Sequence, residues 1–441
     1  MSASRRIDLR HAGLLFWLLA FAGPDGASAA AGEGGAGTPG VKTDFRAYPE
    51  PPLPKLPKAG GTLVDPTFGT TIMRLTDEKD GKACYTSYAN MSAFNRDNTM
   101  LFAKCQGKGK VLFRFDPKGF KRLKSEPIFD RNPPDGQRPS WGDAIWSAKE
   151  RDVIFLHGSK GKKLWSFNVT DRKYALLKDF TSMLPPDGYI NELSRSTDDN
   201  RFALIFYSPK AMRDDPKKYL RPKIGYCVWQ REPDRIVFQR EVSGYFDEVE
   251  IDKTGEWLLI KTGDKSRKKG TIRARIANLK SGDVEDLEDL RKDVFAPGHS
   301  GNGRGTVCGI DNYNNKICLR KMARGSKVLT LLDLKKDWAQ GVHVSTLADN
   351  EDWAMVNFYT TQKYKRDGLF HNELVLGATD GSGRVRRLVH HRSVVTDYIE
   401  APHGNWSRDG KLIVFNSTWG RSGRVDVFIL KVPPEEAAAN K

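Results

Sequence analysis

Residues 405–419 read NWSRDGKLIVFNSTW. An aromatic residue is followed by a short polar run, the pair Asp409-Gly410, and then a β-branched apolar run. Asp-Gly supplies the positive φ of a tight turn, and the apolar run has the length of a strand rather than a helix. The phrase recurs. Ala93-Phe94-Asn95-Arg96-Asp97-Asn98 stands before TMLFAKC, AIWSAKERDVIFLHG surrounds Trp146, and NELSRSTDDNRFALIFYS surrounds Leu193. EVEIDKTGEWLLIKTG carries it at Ile251 and STLADNEDWAMVNFYTT at Leu347, with a weaker copy, GNGRGTVCGIDN, near residue 305. Each copy leads into further strand-like runs such as VLFRFDPKG, KLWSFNVTDRK, IRARIANLKSGD and RVDVFILKV. One unit is therefore four strands, repeating about every fifty residues, the spacing of a propeller blade. Long amphipathic helical patterns are nearly absent after residue 60. The chain is predicted to be all-β, a seven-bladed β-propeller of four-stranded antiparallel blades over residues 61–432. Residues 61–77 (GTLVDPTFGTTIMRLTD) read as a strand pair that closes the ring by adding an outer N-terminal strand to the last blade.

The 441 residues carry 72 Lys+Arg against 55 Asp+Glu, a net charge of +17. Apolar residues make up 39% of the chain, enough for a large core, so wholesale disorder is excluded. A mean hydropathy of −0.56 excludes a multi-span membrane protein. Residues 1–29 read as a secretory signal peptide. Arg5, Arg6 and Arg10 precede an apolar run too short to span a bilayer, and Ala27-Ser28-Ala29 offers small residues for cleavage. Its removal lowers the net charge only from +17 to +16, because three arginines and two aspartates leave together. The mature protein is expected to be periplasmic or secreted, probing polyanions other than nucleic acid. Residues 30–60 are Gly/Ala-rich, then Pro-rich, and read as a linker or surface strap; residues 433–441 read as a disordered tail. A monomer is expected.

Five cysteines occur without a CxxC pair, which gives no zinc ribbon. Cys308 and Cys318 flank the turn-rich Asn312–Asn315 tetrad, and Cys84 and Cys105 flank another candidate strand pair. Both pairings are open as disulfides in an oxidising compartment. Cys227 lies in a strand-like run and reads as a buried free thiol.

The NWSRDGKLIVF phrase resembles the WD40-like repeats of TolB-type propellers. With GHSGNG, NELVLGATDGSGRVRRLVHHRS and APHGNWSRDG, the wider arrangement is similar to the periplasmic propellers that include oligogalacturonate lyase and the ulvan lyases. His299, His343 and His403 each precede an inner-strand position of consecutive blades, where strands converge on the channel. Three imidazoles meeting there suit Zn, Mn or a similar divalent metal; the resemblance points to the same three as ligands, with Asp311 as an added oxygen. Hydrogen-bonded packing is the other reading of each. Arg392 and Tyr398, on the approach to the last blade, are candidate ligand-binding residues, as are Tyr189 and Arg195 in the third. The resemblance implies histidines in the early blades of a lyase, but here only His157 falls there. Those segments offer Tyr85, Tyr88, Trp141, Asp143, Tyr189, Asn191 and Arg195 instead. Two functions therefore stand. The first is an exported binding or scaffolding module for an acidic polysaccharide or a protein ligand, with a bound metal. The second is a polysaccharide lyase-like enzyme that cleaves uronate polymers by β-elimination.

Overall fold

The computed structural model describes residues 41–140, 144–262, 274–287, 297–311, 314–334, 341–360 and 368–435. The predicted signal peptide, Trp141, Asp143 and residues 436–441 of the predicted tail lie outside them. No helix of the described residues is long and apolar enough to cross a membrane. Among those residues, seven antiparallel sheets form, six of four strands and one of five. The innermost strands are Cys84–Tyr85, Ile145–Trp146, Tyr189–Arg195, Phe246–Ile251, Pro297–Asn302, Gly341–Ser345 and Asn405–Trp406. The chain is a seven-bladed β-propeller.

The repeated phrase has one local cause. After each inner strand the backbone must reverse within a few residues, which requires a left-handed residue. Asn98, Asp199, Gly255 and Gly410 occupy equivalent places with φ of 62°, 57°, 79° and 71°. Each donates its N–H to the carbonyl three residues earlier, from Asn95, Ser196, Asp252 and Ser407 respectively. Asn, Asp and Gly are the residues that tolerate this conformation.

The ring closes through seven apolar layers, each shared by two neighbouring blades. Phe102 and Trp146 pack in one layer and Phe155 and Phe202 in the next. Further round, Val228 packs with Val249, Leu259 with Val307, Val344 with Leu332, and Met355 with Trp406. The seventh layer joins the two ends of the chain, with Met73, Phe94 and Leu412 together. The predicted closure is present and extends further than one strand. Thr71–Arg74 pairs with Asp426–Lys431 as a fourth strand, and Thr62–Val64 pairs outside it as a fifth. Residues 41–60 run as a strap over the last two blades. Arg387 N–H donates to the Lys42 carbonyl (2.9 Å), Arg392 Nη1 to Pro51 (2.9 Å), Trp419 Nε1 to Pro54 (2.9 Å) and Arg74 Nη1 to Pro57 (2.9 Å).

Cys84 and Cys105 sit directly opposite each other on neighbouring strands of the first blade and form a disulfide. Cys308 and Cys318 do not. Their hairpin register sets Cys308 opposite Leu319 and Cys318 opposite Gly309, one residue out of step. A shift of one turns two side chains to opposite faces of a sheet, and the thiols point into different layers. Cys227 is a buried free thiol, as the sequence suggests. Cross-linking the 21-residue separation of Cys84 and Cys105 restricts the unfolded chain. Replacing both by alanine is expected to lower stability by about 2–4 kcal/mol, read as a lower urea midpoint. An unchanged midpoint would show that the loop is already held by its neighbours.

Candidate functional site

The channel end of three consecutive blades carries the predicted histidines, and the fold brings them together. The His299 and His343 rings lie 4.7 Å apart between centroids, at 86°, and His343 and His403 lie 4.6 Å apart at 74°. Tyr88, from the first blade, touches all three. Its hydroxyl is 2.9 Å from His299 Nδ1, and its ring lies 5.0 Å from His343 and 5.2 Å from His403. Tyr359 stacks on His343 (5.3 Å, 12°), and Tyr398 lies 4.5 Å from His403. His343 and His403 are buried, His299 and Tyr88 are half-buried, and Tyr398 is 44% exposed.

Local irregularities aim these side chains. His299 and His403 both adopt a left-handed backbone, with φ of 44° and 41°. The inner strand of His299 has a register break between Gly298 and Gly301. Similar breaks interrupt the third blade between Asn191 and Ser194 and the fourth between Phe246 and Glu248. A bulge adds a residue and turns its neighbour out of the pleat, and non-glycine residues hold positive φ only when their surroundings force it. Tyr88 is positioned from two sides. Asn405 donates its amide to the Tyr88 carbonyl (3.1 Å), and Asn90 donates to Glu250 Oε1 (2.9 Å) across the channel.

The cluster is uncharged near neutrality. Burial, then the Lys261 charge, lowers the His299 imidazole to about 4. Burial and His299 lower His403 to about 3, and burial with both neighbours holds His343 well below the ordinary range. Burial, Tyr398 and Glu248 keep the Tyr88 phenol protonated. Two buried ring nitrogens, His343 Nδ1 and His403 Nε2, have no hydrogen-bond partner. Neutral imidazoles with free nitrogens are the donors a borderline metal takes. As the rings stand, edge to face, no three His, Cys, Asp or Glu side chains among the described residues are arranged to hold an ion.

Beside the histidines the channel wall is ionic. Lys261 bridges Glu248 (2.6 Å) and Glu250 (3.0 Å), and Lys223 meets Glu192 (2.7 Å). Burial pushes Glu250 and Glu192 each up to about 7, against the pull of their lysines. Burial also pushes Glu248 upward, but Lys261 outweighs it and holds the carboxyl below its usual range. Glu192, Glu248 and Glu250 border an axial cavity of about 160 Å³ with Asn90, Asn302 and Thr346.

The remaining candidates are held by other partners. Arg195 borders that cavity, but it pairs with Asp199 (3.2 Å) and donates to the Trp146 carbonyl (2.9 Å). Tyr189 stacks on Tyr207 (5.3 Å). Arg392 is buried, and its guanidinium donates to the strap and to Asp65 (3.4 Å). Asp311 is buried and accepts from Asn314 (2.9 Å). His157 bonds the Gly158 carbonyl (2.7 Å), His390 that of Tyr48 (3.2 Å), and His391 that of Phe358 (2.9 Å). Sequence reading named Tyr88 only among the residues that the early blades offer, and did not name Glu248, Glu250 or Lys261. The signal available was acidic residues alternating with apolar ones in FDEVEI, on a strand expected to face the axis.

No protein-family model matches the chain, and no curated protein sequence does. Its fold is that of oligogalacturonate lyase. The enzyme from Vibrio parahaemolyticus superposes with a TM-score of 0.60 at 10% identity, over 85% of this chain and 96% of the other. An oligogalacturonate lyase in complex with manganese superposes at 0.56 and 12% identity, over 86% and 98%. At such identity the likeness concerns the fold.

Proposed function

We propose that this chain is an exported propeller that binds acidic carbohydrate at the axial cluster, with a divalent cation held by His299, His343 and His403. The observation that carries the reading is the meeting of three neutral imidazoles from consecutive blades, two with unpartnered buried nitrogens. The nearby cations Lys261 and Lys223 are already paired with carboxylates, so an anionic ligand needs another source of positive charge. A bound cation supplies it; holding the ion requires the imidazoles to turn from their edge-to-face packing. Export is supported by the Cys84–Cys105 disulfide, which suits an oxidising compartment.

The Tyr88–His299 hydrogen bond favours a second reading, β-elimination from a uronate. A neutral imidazole can take the proton next to the carboxylate, and a protonated phenol can deliver one to the leaving oxygen. Titration of the mature protein with manganese is expected to give one saturable site, and His343→Ala to lose it while keeping the folded circular dichroism. Equal metal uptake by parent and variant sinks the ligand assignment. With polygalacturonate added, growth of the ultraviolet absorbance of an unsaturated uronate decides between binding alone and elimination.

A further inference from the structure

We propose that Tyr398, backed by Tyr88, is a stacking platform for one pyranose ring of the bound saccharide; this rests on the axial site taking acidic carbohydrate. Phe45 and Tyr398 are the exposed aromatic rings among the described residues, at 45% and 44%. Phe45 lies on the strap against Phe370 (5.7 Å). Tyr398 instead borders the histidines, its ring parallel to that of Tyr88 within 5° at 6.2 Å and against His403 at 4.5 Å. An exposed apolar face beside polar donors suits a sugar, which offers a face of C–H groups and an edge of hydroxyls and carboxylate.

The platform is rigid before any ligand arrives. Tyr398 opens a single helical turn, Tyr398–Glu400, capped by Asp397, which accepts the Tyr398 N–H at 2.6 Å. The Glu400 carboxylate reaches back to the backbone N–H groups of Thr396 (2.5 Å) and Asp397 (2.9 Å), and its carbonyl accepts from Ser393 Oγ (2.5 Å). Val395 and Ala401, on either side, are buried with Tyr359, the residue stacked on His343. Such a reciprocal cap satisfies two backbone donors and holds the turn in place, so the segment that carries the ring loses little freedom on binding. Nothing in the turn's own hydrogen bonding requires the phenol ring.

The test is calorimetric titration of the mature chain with trigalacturonate in the presence of manganese. Tyr398→Ala is expected to weaken binding about tenfold, and Tyr398→Phe to stay close to the parent because the ring face is kept. Equal affinities for parent and Tyr398→Ala would overturn the platform while leaving the axial reading in place. A Tyr398→Phe variant as weak as Tyr398→Ala would also overturn it, since the hydroxyl would then be the contact. Failure of the parent itself to bind would remove the axial reading and the platform with it. Unaltered melting of both variants confirms that the comparison is between folded proteins.

Discussion

Arg387→Ala is expected to destabilise the propeller by about 3–5 kcal/mol, measured by urea unfolding at pH 8. Arg387 and Glu373 are both fully buried, in the two outer strands of the sixth blade. Arg387 Nε donates to Glu373 Oε2 at 2.7 Å, and Nη2 donates to the second carboxylate oxygen. The guanidinium also lies over Tyr48 (4.6 Å) and Phe370 (5.0 Å) and donates to the Arg46 carbonyl. It joins the strap to the blade. Removing it leaves a carboxylate in an apolar layer without its cation. The pH dependence identifies this cause. Burial already pushes Glu373 up to about 7, against the pull of Arg387. A carboxyl whose folded pKa is raised binds more protons in the folded state. Its penalty is absent below the unfolded value, about 4.5, and grows as pH rises through the folded one. The variant should therefore lose much less stability at pH 5 than at pH 8. The double variant Glu373→Gln with Arg387→Met should recover much of the loss at pH 8. A deficit equal at both pH values would show that the arginine acts through packing alone.

Beginning the chain at residue 78 is expected to abolish the cooperative native state. The truncation removes the strap and both N-terminal strands of the last blade, leaving Asp426–Lys431 as an open edge. Phe68, Ile72, Met73 and Leu75 are each at most 1% exposed. At about 1.5–3 kcal/mol for each fully buried side chain, they contribute about 6–12 kcal/mol, comparable to the whole stability of an ordinary domain. Arg74 also pairs with the buried Asp426 (2.6 Å), which would be left with Arg424 (2.7 Å) as its cation. The shortened chain should elute as aggregate and show no sharp thermal transition. Adding a peptide of residues 41–77 during refolding should restore a monomeric fraction. A truncated chain that melts sharply on its own would show that six blades and three strands suffice.

Much of the architecture is legible in local sequence because its causes are local. Each blade turn needs a left-handed residue, and Asn98, Asp199, Gly255 and Gly410 announce it within six residues of an aromatic or apolar head. The near meeting of His299, His343 and His403 follows from the same repeat, since equivalent inner-strand positions converge once the ring closes. Tyr88 is less legible. It reaches the histidines only because Asn90 and Asn405 hold its segment across the channel, contacts spanning 160 and 317 residues. Arg392 looks like a rim residue in sequence, but the strap that covers it lies 341 residues earlier. The two hairpin thiols, Cys308 and Cys318, look bridged until the pairing register is known, and one residue of offset separates them.

The sequence by itself determined the strand count, the blade period and the side of the ring that carries the imidazoles, because alternation and turn chemistry act over a few residues. Only the tertiary structure decided which thiols bond, which arginines are consumed by the strap, and that a phenol from the first blade completes the histidine cluster. Those outcomes depend on closing a ring between chain ends more than three hundred residues apart, and no short stretch of sequence carries that information.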